Sequence, residues 1–277
     1  MPSELVPLVG FTARYSTGPT ATRHCIGHKP FRDTDVAWLD CDQTPLHDGR
    51  TCDRCAASDA TFASQLHHAH NRGASELDAA VRKHLEQPNH LYLAAFRDGS
   101  IKVGTSTAPR LLTRLDEQGA WICEVVANAT DGFAVRTLED RVTVELGLSQ
   151  SVSIGRKLSG LTRPKPDEDL RSEIALWASL VGALIDDMDD SRIERASVAW
   201  TSAACDDPLF SNLHPYPLKI ETGNHDLELV GASGRIAVAR RPGSTDRFAI
   251  DVRRLFGVEL TLVDTAPDEL AVQDSLF

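Results

Sequence analysis

The sequence predicts an α+β chain in three parts: a cysteine-rich module over residues 1–58, a small α/β domain with a mixed or antiparallel sheet and flanking helices over 59–190, and a small antiparallel β-rich domain over 191–277. Three observations predict it. Four of the six cysteines, Cys25, Cys41, Cys52 and Cys55, crowd into one short segment with little hydrophobic periodicity. Between residues 90 and 146 the apolar patterns follow the order strand, strand, helix, strand, helix. From Tyr216 onward, short β-rich runs alternate with glycine and proline turns.

Composition sets the outer bounds. With 277 residues, 42% hydrophobic and 25% charged, the chain is no disordered, collagen-like or coiled-coil sequence, and it is long enough to bury a substantial core. Forty acidic against 29 basic residues give a net charge of −11, which weakens any tight, non-specific attraction to a polyphosphate but leaves room for a local basic groove. The charge is uneven: residues 1–80 carry −3, residues 81–180 carry 0 and residues 181–277 carry −8. Met1 to Thr17 hold no apolar run suited to a signal peptide, and no later stretch approaches the ~20 apolar residues of a membrane span. A cytoplasmic protein with no membrane contact is expected, in a compartment where clustered cysteines favour metal over disulfides.

The elements follow in order. Residues 18–55 need an internal staple, and Cys52-x2-Cys55 is the spacing at which two thiolates grip one tetrahedral ion from a tight turn. Cys25 and Cys41 complete a four-sulfur set, with His28 in reserve through the rival half-site Cys25-x2-His28. Zinc, borderline soft and redox-inert, suits such a closed site and would supply folding energy, so structural zinc is expected. Buried free thiols or a redox-active Cys-x2-Cys are the alternatives. Helices are expected over 59–70 and 75–85, the second capped by Ser75 with Asp78. His67, His68 and His70 on the first are surface residues more often than ligands or bases, and Cys123 and Cys205 read as small hydrophobes.

Residues 90–96 and 101–105 form a hairpin about Asp98-Gly99. Pro109 starts a helix that Gly119 stops, 120–127 is a third strand, and Asp131 opens a helix closed by Gly147. Residues 151–167 read as a polar loop, followed by an amphipathic helix over 168–187. The β-rich tail offers runs at 218–222, 227–230, 235–240, 248–252 and 258–263.

The stretch His90-Leu-Tyr-Leu, then Lys102-Val-Gly-Thr, then Arg110, Arg114 and Gln118-Gly-Ala resembles the GIY-YIG nuclease superfamily, in which a tyrosine-bearing strand precedes a strand ending in glycine and a helix carrying an arginine. With the cysteine-rich segment ahead of it, the pattern looks more closely like the DUF2797 family, placed near that superfamily. The resemblance covers about residues 25–146. It implies nucleic-acid binding, DNA or RNA or a smaller phosphodiester, and a divalent-metal-dependent endonuclease activity with Mg²⁺. By position, Tyr92 matches the tyrosine of the first motif, Lys102-Val103-Gly104 the second, Arg114 the helix arginine and Glu139 the metal-binding glutamate. The sequence departs from the pattern at His90, which replaces glycine, at Lys102, which replaces tyrosine, and at Gln118, which stands where histidine is frequent.

The chemistry can be stated from the residues alone. Phosphodiester cleavage needs an activated water, a cation on the phosphate and stabilisation of the leaving oxygen. Tyr92 would be the base or water-positioning group, with the Lys102 ammonium lowering its pKa. Arg114 offers a planar fork to phosphate oxygens, and Arg110, Arg114 and Gln118, at i, i+4 and i+8, line one helix face. Glu139 would supply the single carboxylate that Mg²⁺ commonly takes. Gly104, Thr105, Arg110, Gln118, Arg156 and Lys157 complete the expected substrate-binding set. A two-residue hairpin loop would put Lys102 and Tyr92 on opposite sheet faces, so this reading requires a wider turn with an odd residue count, or a bulge. The bland alternative has Tyr92 in the core, Lys102 snorkelling and the arginines paired with Asp116 or Glu117. A non-catalytic DNA- or RNA-binding or interaction module that keeps zinc and the fold is the second functional reading. The basic stretch Arg156, Lys157, Arg163 and Lys165 either contacts phosphates or is solvated, and the acidic run Asp186, Asp187, Asp189 and Asp190 reads as solvated. No Walker loop, Rossmann glycine fingerprint or Gly-x-Ser-x-Gly elbow occurs.

Overall fold

The computed structural model describes residues 10–17, 22–28, 39, 41–42, 44–57, 77 and 79–263. The helix expected over 59–70 with His67, His68 and His70, and the Ser75–Asp78 cap, lie outside the described residues. In chain order the elements are β1 (Thr12–Ser16), β2 (Arg23–His24), β3 (Pro45–Leu46), α1 (Ala79–Leu85), β4 (Asn89–Ala95), β5 (Ile101–Thr107), α2 (Leu111–Gln118), β6 (Ile122–Ala129), α3 (Gly132–Leu146), α4 (Ile154–Thr162), α5 (Asp167–Asp186), β7 (Ile193–Thr201), β8 (Leu213–Pro215), β9 (Asn224–Ser233), β10 (Ile236–Arg240), β11 (Arg247–Asp251) and β12 (Thr261–Leu262).

The mixed α+β class is present, with two larger sheets. The central sheet runs β5-β4-β6-β7 and is antiparallel throughout. Its alternation sends Leu91, Leu93 and Val103 to one face, against Val135, Leu138 and Val142 of α3 and Val181, Leu184 and Ile185 of α5. Fully burying each of these side chains contributes about 1.5–3 kcal/mol. Tyr92, Ala94 and Phe96 take the other face, with Leu115 of α2, Cys123 and Val125. Local signals set the boundaries: Gly119 and Gly147 end α2 and α3 in the left-handed conformation, and Asp131 caps α3 by accepting from Ala134 N.

The second sheet has the order β12-β1-β9-β10-β11-β8, with β11–β8 its parallel pair. It draws on both ends of the chain, since β1 pairs with β9 from Thr12↔Glu228 to Ser16↔Asn224. Residues 193–201, assigned in sequence to the C-terminal part, instead form β7 and add to the central sheet through β6. Residues 218–222 form turns rather than a strand, and 258–263 shrinks to β12. Residues 151–167 contain α4, which the loop reading lacked. Its apolar side chains Leu161 and, half-buried, Ile154 and Leu158 join Trp121, Leu170 and Ile174 in packing against Phe210, Leu213, Ile236 and Val238. That shared core seats the second sheet against one end of the central one.

Candidate functional site

The hairpin geometry decides whether the motif residues meet. Ala95 pairs with Ile101, leaving a loop of residues 96–100, and Phe96 N donates to Ser100 O. The odd count is the wider turn that the functional reading requires: Tyr92 sits opposite Gly104 and Lys102 opposite Ala94, so Tyr92 and Lys102 share a face. The Lys102 Nζ lies 5.5 Å from the Tyr92 ring centre. Gly104 is needed there, because a Cβ on it would fall 2.7 Å from the Tyr92 hydroxyl and 3.0 Å from Lys102 Nζ. Thr105 pairs with Leu91, which puts it on the opposite face, away from this group.

A cleft of about 310 Å³ opens beside this group, where α2, the start of α4 and the β9–β10 turn converge. Among the described residues, six cationic side chains line it, Arg97, Lys102, Arg114, Lys157, Arg235 and Arg253, against the single carboxylate of Glu117. Glu117 is paired with Arg110 at 3.0 Å, and Arg253 with Asp251 at 3.0 Å. Lys157 Nζ donates to Gln118 O at 2.7 Å and stands 4.3 Å over the Phe96 ring, and Lys102 Nζ donates to Gln150 O at 3.3 Å. Arg97 stacks on Trp121 at 4.3 Å while its buried Nε has no partner.

The electrostatics differ from the sequence expectation. Burial pushes the Tyr92 phenol above its ordinary value, outweighing the downward pull of Arg114 and of Gln118, whose Nε2 donates to the hydroxyl at 2.9 Å. Tyr92 is fully buried and remains a neutral phenol at pH 7. Lys102 is moved down to about 8, through burial and then the positive charge of Arg114. Lys157 is likewise held at about 8 by burial and the neighbouring Arg235 and Arg253.

Of the sequence-predicted residues, Lys102, Arg114, Gln118 and Lys157 line the cleft, with Tyr92 and Gly104 directly behind it. Glu139 lies within electrostatic range of Lys102 but outside the lining, and faces Arg136 at 3.6 Å. Arg110 and Arg156 are drawn off by Glu117 and Asp98. Sequence reasoning missed Arg97, Arg235 and Arg253. Arg235 follows the Gly234 turn of the β9–β10 hairpin, and nothing in the sequence tied that hairpin to α2.

The four cysteines converge in a second site. Cys25 directly follows β2, Cys41 lies ahead of β3, and Cys52 and Cys55 sit just before and within a helical turn over 53–57. All four sulfurs lie within 4.8 Å of one another. Cys41 and Cys52 are 3.8 Å apart, which matches the edge of a tetrahedron of sulfurs about 2.3 Å from a central zinc. Thr44, hydrogen-bonded to Cys41, draws that thiol down to about 6, while burial pushes Cys55 up to about 12. Four thiolates share such a volume only around a cation, so the set can hold a structural metal such as zinc. His28 is not part of it; it bridges to Leu39 through the backbone.

Comparisons with protein-family models, with curated proteins and with solved structures find no match to this chain.

Proposed function

We propose that the chain is a zinc-stapled, GIY-YIG-like protein that binds a phosphate-bearing ligand, nucleic acid in the first place, in the cleft beside Tyr92. The observation that carries this reading is the charge of the cleft: six cations against one already paired carboxylate, in a chain whose net charge is −11. Holding so many like charges together is unfavourable unless an anion offsets them. The motif order that resembles the GIY-YIG superfamily and the DUF2797 family supports a phosphodiester-containing ligand. Arg114 and Lys102 would grip phosphate oxygens, Lys157 would close the opposite side, and Gln118 and the neutral Tyr92 would hold their hydrogen bond behind them.

Hydrolysis is the second reading, favoured by the convergence of Tyr92, Lys102 and Arg114. The donor set fits magnesium poorly: Glu139 is buried against Arg136 and lies outside the cleft lining, and Glu117 is engaged by Arg110. No cleavage step is therefore derived through a metal ion. Titrating fluorescent single- and double-stranded DNA and RNA at several salt concentrations, with and without Mg²⁺, tests both readings. Salt-dependent binding weakened by Arg114→Ala, without cleavage, is expected. Metal-dependent cleavage lost in both Tyr92→Phe and Glu139→Ala would replace binding by hydrolysis, and absence of binding would refute both.

A further inference from the structure

The cleft has two walls from different parts of the chain. One is the motif wall, with Lys102 on β5 and Arg114 on α2. The other is built by the second sheet, and its placement is constrained at the backbone. Gly234, in the β9–β10 turn at φ +58°, sits so close to α2 that a Cβ on it would fall 2.6 Å from Gly119 N. This glycine-to-glycine contact presents the next residue, Arg235, to the cleft that Arg114 lines. Segment 252–255 adds Arg253. Ser151, ahead of α4, and Ile154 and Lys157 in its first turn, which Ser153 caps, close the cleft.

Subtracting the paired groups leaves a sharper pattern. Glu117 and Arg253 are neutralised by Arg110 and Asp251. Among the described residues, the other five cations, Arg97, Lys102, Arg114, Lys157 and Arg235, form no ion pair with a carboxylate. An internal phosphodiester brings one negative charge and two free oxygens. A terminal phosphate monoester brings nearly two charges at neutral pH and three acceptor oxygens. The cleft volume, about 310 Å³, is at the lower limit of small-ligand sites and matches a phosphate group with the residue that carries it.

Resting on the phosphate-binding reading above, we infer that the cleft is a receptor for a terminal phosphate dianion, clamped between Arg114 of the motif helix and Arg235 of the second sheet. Burial first, and the neighbouring arginines after it, hold the Lys102 and Lys157 ammoniums below their ordinary pKa, so an anion placed between them would offset a charge the site itself disfavours.

The dianion has two sources, a strand end or a free nucleotide, and one binding experiment separates them. Fluorescent single-stranded oligonucleotides of one sequence, carrying a 5′-phosphate, a 3′-phosphate or neither, are titrated by anisotropy at fixed salt. A nucleoside monophosphate and inorganic phosphate serve as unlabelled competitors. Phosphate at one end is expected to tighten binding about tenfold or more over the bare strand. Arg235→Ala should bring the ratio of phosphorylated to bare affinity towards one, and Arg235→Lys should restore part of it. Gly234→Ala, which leaves every cation in place but lifts the turn from Gly119, should lower the same ratio. Competition by the nucleoside monophosphate at the strand's own affinity assigns the site to the small molecule, and failure to compete assigns it to the strand end; both support the dianion. Equal affinity for all three strands, with binding intact, overturns this inference and leaves the phosphate-binding reading standing. No binding of any probe overturns that reading as well.

Discussion

Replacing Lys102 by methionine should make the protein more stable and less able to bind its ligand. Lys102 is 5% exposed, and burial, followed by the charge of Arg114, opposed by Glu139 and reinforced by Lys157, holds its ammonium pKa at about 8. In the unfolded chain it titrates at its ordinary 10.5, so keeping it charged in the folded state at pH 7 costs about 3 kcal/mol. Methionine retains the unbranched stem and its packing. The Gln150 carbonyl, which accepts from Nζ at 3.3 Å, loses that donor at a cost of about 1 kcal/mol. The net gain is about 2 kcal/mol at pH 7, a rise of about 4–8 °C in Tm. The sign with pH follows from proton counts. Between pH 8 and 10.5 the unfolded wild type binds the lysine proton that the folded state has released, so its stability rises with pH across that window. The variant lacks this contribution, and its advantage should vanish by about pH 10. Thermal melts of both proteins at pH 7 and pH 10, with oligonucleotide binding at pH 7, provide the assay. A variant less stable than wild type at pH 7, or a gap of the same size at both pH values, would refute the reasoning.

The remaining predictions concern packing, metal and charge. Gly104→Ala forces a Cβ to 2.7 Å from the Tyr92 hydroxyl and should lower stability by about 1–3 kcal/mol in denaturant melts. The purified protein should carry one zinc ion per chain by elemental analysis. Cys52→Ser should lose it, and chelation should lower the melting temperature, whereas metal-free protein with an unchanged melt would count against a structural ion. Affinity for a phosphorylated strand should fall above pH 8, as Lys102 and Lys157, both at about 8, lose their protons. Guanidinium groups keep their charge far above this range, so a residual, salt-dependent affinity should persist at pH 9.5.

What the sequence disclosed about the fold was whatever local chemistry encodes. The hairpin, the glycine stops at Gly119 and Gly147 and the Asp131 cap are each decided within a few residues, and the structure has them. The losses are long-range or disguised. β1 finds its partner β9 across most of the chain. β7 is a largely exposed edge strand, so it carries little of the alternation that marks a half-buried one. The polar, basic composition of residues 151–167 hid α4, and within it Gly160 is a packing requirement, because a Cβ there would fall 2.3 Å from the backbone nitrogen of Asp98.

The same division explains the candidate sites. Four cysteines in a short, poorly patterned segment have few other uses, so the metal set was legible from spacing alone. The cleft was half legible. Its motif wall comes from residues near one another in sequence, where strand parity places Tyr92 with Lys102 and helix periodicity adds Arg114 and Gln118. Its other wall depends on two glycines far apart in the chain meeting backbone to backbone, and a single glycine carries no signal of such a partner. Charge counting along the sequence also hid it. Arg235 and Arg253 belong to the segment with the largest acidic excess, −8 over residues 181–277, yet Asp186 and Asp190 there are engaged by Arg195 and Arg192 at 2.7 Å. Which charges remain uncompensated is decided by pairing in three dimensions. A chain that is acidic overall thereby keeps a small cationic cleft.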